Sequence, residues 1–409
     1  AYSLGETYRL TVEAVRDYYQ ALAPGGVLVL TRWLQLPPSE EARAWATAVA
    51  ALEEMGVAQP AAQVAALRSL NTATILIRRG AWTADELAAI RRFAEARRFD
   101  LIALPGLEAE EANRFQVLPG NEYYHAFAAI LDPARRAAWM HAARFDARPA
   151  RDDRPFFFHF FRWQQVPSTL AMWGRTWQPF GGGGYLVVLA LLPAAALAAA
   201  ALVLLPWAAA PGARRPPLRL LAGFALLGFG FIGTEIALVQ RFILLLGTPT
   251  HALVVVLVVL LATSGAGSVL TGRLTARQAA VMPALALVVA SLAAALPWLV
   301  ESALALPLIL RIAVAALAIA PPGLLMGMPF ALALRAAAAR DAGVVAWAWA
   351  ANGAASVVGA LGATIVALSW GLSGVLLLSA LAYGGAALAF GTSLAVPGSR
   401  AGPAFMARP

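Results

Sequence analysis

From residue 185 onward the chain is a succession of apolar stretches, at about 185–207, 218–246, 251–271, 279–299, 304–338, 344–369 and 372–396. Most lie near the ~20 residues that cross ~30 Å of hydrocarbon as a helix. Backbone amides in lipid must be satisfied within the segment, so helices are what such stretches form. This predicts an all-α bundle of seven spans. The stretch 304–338 is too long for one upright crossing at ~1.5 Å per residue, and Pro321-Pro322-Gly323 interrupts it midway; it is either one kinked, overlong helix or a tight hairpin giving eight spans. Of the 409 residues 60% are hydrophobic and 13% charged, which excludes one wholly soluble globule.

Charge divides the chain near residue 180. Residues 1–180 carry 20 Arg and 19 acids, whereas residues 181–409 carry 11 Arg and 3 acids. The basic excess sits in short loops between apolar runs, where it reads as membrane orientation, so nucleic acid is not expected as a partner. With seven spans, Arg214, Arg215, Arg219, Arg273, Arg277, Arg335, Arg340, Arg400 and Arg408 fall on one side, leaving chiefly Arg241 near the other. The positive-inside tendency then places the front domain outside; eight spans would make the vote nearly even, and the orientation stays open. There is no cysteine and no lysine. Thiol nucleophiles, cysteine-ligated metals, a Schiff-base lysine and a P-loop lysine are therefore excluded. Ala1 opens a polar stretch without an apolar signal core, and the start of the protein is expected upstream.

The front half has the pattern of an α/β layer. Tyr8, Val12, Val15, Tyr19 and Leu22 share one face of a helix over 7–22. Short apolar runs at Val27–Thr31, Ala73–Ile77 and Leu101–Leu104 suit inner strands covered on both faces. Helical stretches at 39–56 and 84–98 alternate with them, the second opened by a capping box at Thr83-Ala-Asp-Glu86. The alternation predicts a doubly wound layer. Nothing before residue 27 supplies the glycine turn and acidic residue that such folds place beside their first strand, so only half a nucleotide-binding domain is expected.

Three blocks resemble a known family. Tyr2-Ser-Leu-Gly-Glu-Thr-Tyr-Arg-Leu-Thr-Val-Glu-Ala-Val15 with Leu22-Ala-Pro-Gly-Gly-Val-Leu-Val-Leu-Thr-Arg-Trp33 looks like the later part of the methyltransferase-like domain of membrane-attached spermidine/spermine synthase homologues. Arg151-Asp-Asp-Arg-Pro-Phe-Phe-Phe-His-Phe-Phe-Arg-Trp163 resembles the family's stretch before the membrane part, with Arg151 where Thr is usual. Phe231-Ile-Gly-Thr-Glu-Ile-Ala-Leu-Val-Gln-Arg-Phe242 and Trp347-Ala-Trp-Ala-Ala-Asn-Gly-Ala-Ala-Ser-Val357 resemble its membrane segments. The resemblance implies a transferase fold using S-adenosylmethionine or its decarboxylated form, passing an aminopropyl or methyl group. The family's glycine-rich adenosyl loop and upstream catalytic aspartate have no counterpart here, so no catalytic or cofactor-binding role is carried to a numbered residue.

The candidate polar sites are Glu235, Gln240, Arg241, Asn352, Asp152 and Asp153. Glu235 lies deepest among the acids of the membrane half, where an ionised carboxylate costs ~2.5–3.5 kcal/mol, so it is expected to be neutral or partnered. Arg241 is about 240° further round the same helix, which leaves Asn352 and Arg311 as possible partners. Asp152 and Asp153 suit either a cation such as a polyamine or a turn tied to Arg151 and Arg154. Gly228-Phe-Gly-Phe-Ile-Gly233 matches a dinucleotide fingerprint but lies inside an apolar run, where glycines serve close helix packing. Phe156–Phe161 with Trp163, Trp173 and Trp177 reads as a headgroup-zone segment. His125, His141, His159 and His251 lack ligand spacing, so no metal is expected.

The expected organisation is a partial Rossmann-like domain over 1–150, an aromatic interfacial linker over 151–184, a transmembrane bundle over 185–396 and a tail over 397–409. The expected fold class is α/β, the C-terminal part of a Rossmann-like methyltransferase fold, followed by an all-α multi-pass transmembrane bundle. The expected protein sits in the cell membrane as a spermidine-synthase-like transferase, inactive as this fragment alone, with the lipid bilayer and a polyamine or other small acceptor as partners. The competing expectation is a transporter or scaffold with a degenerate, non-catalytic front domain.

Overall fold

The structure, a computed structural model, describes residues 4–118, 120–167, 183–209, 216–273, 280–339 and 341–391. It forms two compact units, Ala1–Val187 and Val188–Pro409.

The first unit is built on four strands, β1 (Val27–Trp33), β2 (Val64–Arg68), β3 (Thr72–Arg78) and β4 (Asp100–Ala103), in the order β1-β3-β2-β4. Every neighbouring pair is antiparallel. The doubly wound layer is thus corrected: β2 and β3 are joined by a tight hairpin, closed by Ser69 N–H on the Thr72 carbonyl at 2.8 Å and by the paired Ser69 and Thr72 hydroxyls. A short hairpin reverses the chain where a crossover helix would have kept it parallel.

One face of the sheet, carrying Ala73, Ile75 and Ile77, packs on α1 (Val12–Ala21), α2 (Glu40–Glu54), α4 (Glu122–Leu131) and α5 (Pro133–Ala142). α2 is buried nearly all round, with Trp45, Ala48 and Leu52 fully enclosed. α3 (Ala84–Arg97) covers the other face over β2 and β4, and the expected Thr83/Glu86 capping box opens it. Among the described residues no helix reaches the corresponding face of β1, where Val29 and Trp33 are 56% and 64% exposed.

The aromatic stretch is also corrected. Phe156, Phe157, Phe160 and Phe161 are buried in the first unit, Phe157 completely. They do not form a headgroup-zone segment, because Arg43 of α2 reaches between them and takes the Phe157 and His159 carbonyls at 2.6 and 2.8 Å. Trp163 is exposed; Trp173 and Trp177 lie outside the described residues.

The second unit holds six helices long and apolar enough to cross a membrane: α6 (Gly183–Ala209), α7 (Leu218–Leu246), α8 (Pro249–Leu270), α9 (Val281–Ala303), α10 (Leu308–Ala338) and α11 (Val344–Phe390). α10 runs unbroken through Pro321, Pro322 and Pro329, so the overlong stretch is one helix and not a hairpin. α11 has 47 residues and a non-helical Gly371 at φ 87°, ψ 174°. Straight, it would reach ~70 Å, over twice the hydrocarbon thickness. Its contacts with α7 show that it folds back instead. Along the arm 344–370, Asn352 and then Gly359 meet successively later residues of α7, Phe224 and then Ile232. Along the arm 372–390 the order reverses, with Ser379 on Gly233, Tyr383 on Gly230 and Phe390 on Gly223. The six helices therefore contain a seventh apolar rod, and Gly371 is the turn.

α8 and α10 run in the same direction, since Thr263 meets Gly323 and Ser268 meets Arg335. The glycine run of α7 serves this packing: a side chain at Gly228 would lie 2.2 Å from the Asn352 carbonyl. It holds two helices together and has no strand before it.

Candidate functional site

Polar side chains collect at the end of the first unit where β1 and β2 finish and β3 and β4 begin. Parallel α/β layers receive ligands at the carboxyl ends of their strands; in this antiparallel sheet only β1 and β2 end on this side. The chain leaving β1 turns through Gln35 to the start of α2, where Glu41 is fully buried. One of its carboxylate oxygens accepts the Ser39 amide at 3.1 Å, and the other, Oε2, has no hydrogen-bond partner. Burial pushes its pKa up to about 8, so the carboxyl is protonated at neutral pH and can donate. Tyr123 of α4 donates its hydroxyl to the Gln35 carbonyl at 2.9 Å, and its pKa is raised by burial and by the nearby Glu41. Beside it lies Arg68, at the end of β2, paired with the fully buried Asp100 at 3.0 Å and bonded to Asn113 at 2.7 Å. Asp100 also accepts three backbone amides, from Arg114, Phe115 and Gln116. The result is a dry, preorganised cluster with one acid that holds its proton at neutral pH.

None of these residues stands out in the sequence. Glu40-Glu41 at a helix start reads as solvated acid favouring the helix dipole. The turns of α2 beyond them are mostly apolar, with Ala42, Trp45, Ala46, Val49 and Leu52, but Glu40, Arg43, Thr47 and Glu54 form a polar stripe that hides the burial of the helix.

Asp152 and Asp153 occupy a tight turn closed by Arg154 N–H on the Arg151 carbonyl at 2.8 Å. Asp152 accepts the Thr11 hydroxyl at 2.7 Å, tying this turn to the first residues of α1. The flanking arginines pair elsewhere, Arg151 with Glu54 and Arg154 with Asp146 at 3.4 Å. Behind the turn, Arg43 is enclosed with Asp146 at 3.4 Å. Burial, opposed by Asp146, lowers the Arg43 pKa to about 9, still charged at neutral pH. Against its own desolvation, the hydrogen bond from Arg148 and the charges of Arg43 and Arg154 hold Asp146 below the usual carboxylate range. Burial together with the Arg43 and Arg154 charges lowers His159 to about 3, so it stays neutral.

In the second unit the predicted polar residues do not converge. Glu235 is half-buried midway along α7 and makes no hydrogen bond or ion pair among the described residues. Neither expected partner reaches it: Asn352 donates to the Phe224 carbonyl at 3.1 Å, and Arg311 to the carbonyls of Leu306 and Leu245. Each instead satisfies a helical carbonyl, which is the cheaper use of a donor in a segment without water. Arg241 is buried and donates to Ser373 at 3.3 Å, which in turn bonds the Ala293 carbonyl. Gln240 lies beside it on α7, half-buried.

Among the described residues no three His, Asp or Glu side chains converge on a metal-sized site. Compared with protein-family models, curated proteins and solved structures, the chain matches none.

Proposed function

We propose that the chain is a membrane-bound, spermidine-synthase-like transferase of the cell membrane, whose first unit is the distal part of a Rossmann-like sheet. The observation that carries the reading is the open edge of β1. In the sheet, β1 and β2 run the same way with β3 antiparallel between them. β1 is the outermost strand, pairs with no strand on its far side, and leaves Val27, Val29 and Trp33 uncovered. Isolated sheets blunt an exposed edge with charged residues, proline or a bulge; β1 carries no proline or bulge, and its one charge, Arg32, is paired with Glu40 at 3.7 Å. It is suited to receive further strands.

The residues present do not fit the adenosyl part of the donor: no glycine turn with an acidic partner adjoins β1. No step is therefore routed through the donor. What the chain contributes is the sheet edge and the dry cluster around Glu41 and Tyr123 at the end where β1 and β2 finish.

Transfer of label from methyl-labelled S-adenosylmethionine, and from propylamine-labelled decarboxylated donor, to putrescine by the protein purified from its own membrane tests the reading. Labelled product that disappears in Val29→Asp is expected. Absence of transfer, or transfer indifferent to that substitution, refutes it. The unpaired Glu235 favours a second reading, a transporter with a non-catalytic front unit. That reading expects Glu235→Gln to abolish proton or polyamine uptake into vesicles.

A further inference from the structure

The second unit contains a cavity of about 460 Å³ that the transferase reading does not use. Small-molecule sites span ~300–1,000 Å³. α8 and the first arm of α11 bound it on either side; Leu227 and Phe231 of α7, Met326 and Phe330 of α10, and Tyr383 line the rest. Leu261, Gly265 and Trp349 on its rim are exposed, so it opens on the flank of these long apolar helices.

Its polarity is graded along α8. Apolar Leu261 lies furthest from the end of the helix, and Ser264 and Ser268 follow towards that end, Ser268 ~10 Å from Leu261 at 1.5 Å per residue. At that end Arg335 donates Nη2 to the Ser268 carbonyl at 3.1 Å and to the Thr271 hydroxyl. Its Nε and Nη1 donors make no hydrogen bond among the described residues, and the side chain is exposed. The Ser268 hydroxyl is likewise unengaged, as is the side-chain oxygen of Asn352 in the cavity wall. An apolar slot lined at one end by the Ser268 hydroxyl, with the half-used Arg335 guanidinium on the Ser268 carbonyl just beyond the lining, matches a molecule with a hydrocarbon tail and an anionic head.

We propose that this cleft is a binding site for one anionic phospholipid, with an acyl chain between α8 and α11 and its phosphate at Ser268 and Arg335. Arg is the side chain suited to phosphate, and burying polarised donors against it at the bilayer edge favours an anionic head over a zwitterionic one.

The test uses the full chain in phosphatidylcholine nanodiscs carrying a small fraction of phosphatidylglycerol with brominated chains, which quench indole emission on contact. The signal of Trp349 is the difference between the wild type and Trp349→Phe. Saturable quenching is expected, with phosphatidylglycerol preferred over brominated phosphatidylcholine about fivefold, the value of one interfacial arginine. Gly265→Phe should remove the saturable component; a Cβ there meets no atom within 4 Å, so the ring can start into the slot without displacing the neighbouring backbone. Arg335→Gln should keep saturation and lose the preference. Quenching that rises in proportion to either lipid, or that ignores Gly265→Phe, overturns the proposal. So does displacement by millimolar inorganic phosphate, which would make it a site for the head alone.

Discussion

Glu41 and His159 are buried ionisable groups of one unit whose pKa values move in opposite directions, and each gives that unit a pH-dependent stability. Burial pushes the Glu41 carboxyl up to about 8 in the folded unit, from 4.5 in the solvated chain. Below 4.5 both states are protonated and the group is neutral for stability. Between 4.5 and 8 only the unfolded chain releases the proton, so stability falls as pH rises. In Glu41→Gln this slope should vanish, read as hydrogen-exchange protection of α2 measured from pH 5 to 8 on the full chain; an unchanged slope would contradict the assignment. His159, lowered to about 3, acts on the acid side, where stability is lost as pH falls below its ordinary 6.5. Arg43 carries more. Arg43→Met removes one of the three arginines on Asp146 and leaves the Phe157 and His159 carbonyls without their donor, and should cost about 3 kcal/mol in denaturant unfolding of the first unit. The aromatic stretch misleads for the same reason: six apolar rings in eight residues look like a membrane anchor until an arginine more than a hundred positions earlier is known to stand behind them.

At the scale of elements, β1, β3 and β4 are legible as apolar runs, and the capping box locates α3. β2 is not, because Val64-Ala-Ala-Leu-Arg68 is too rich in alanine to look like a strand, and no local pattern reveals that its partner lies across a three-residue turn. In the membrane half the apolar lengths determine the helices, but whether prolines break a helix depends on neighbours that re-satisfy the backbone. Gly371 is the reverse case, a single residue whose φ of 87° with extended ψ is open essentially to glycine alone. Gly371→Ala should destabilise the fold-back of α11 by about 1–3 kcal/mol, seen as a lower midpoint in detergent denaturation. Ala substitution at Gly353, which faces open space, is the control expected to be silent.

For the whole molecule, the contact order along α7 and α11 and along α8 and α10 makes successive rods alternate in direction. The turn at 271–273 and the turn at 304–307 then lie at opposite ends of the bundle. Because the chain has no cysteine, Gly272→Cys and Leu306→Cys each give one thiol. A membrane-impermeant maleimide should label them from opposite sides of sealed vesicles. Labelling of both from one side would refute the alternation.

The reversal at Gly371 also determines how one end of the bundle meets its surroundings. The links at that end are residues 247–248, residues 304–307 and Gly371 itself, none longer than four residues. Proteases, antibodies and inserted epitopes need slack backbone to grip, and here there is none. That end is almost shaved flush, so any soluble protein that recognises the second unit through its interhelical loops must approach from the arginine-bearing end.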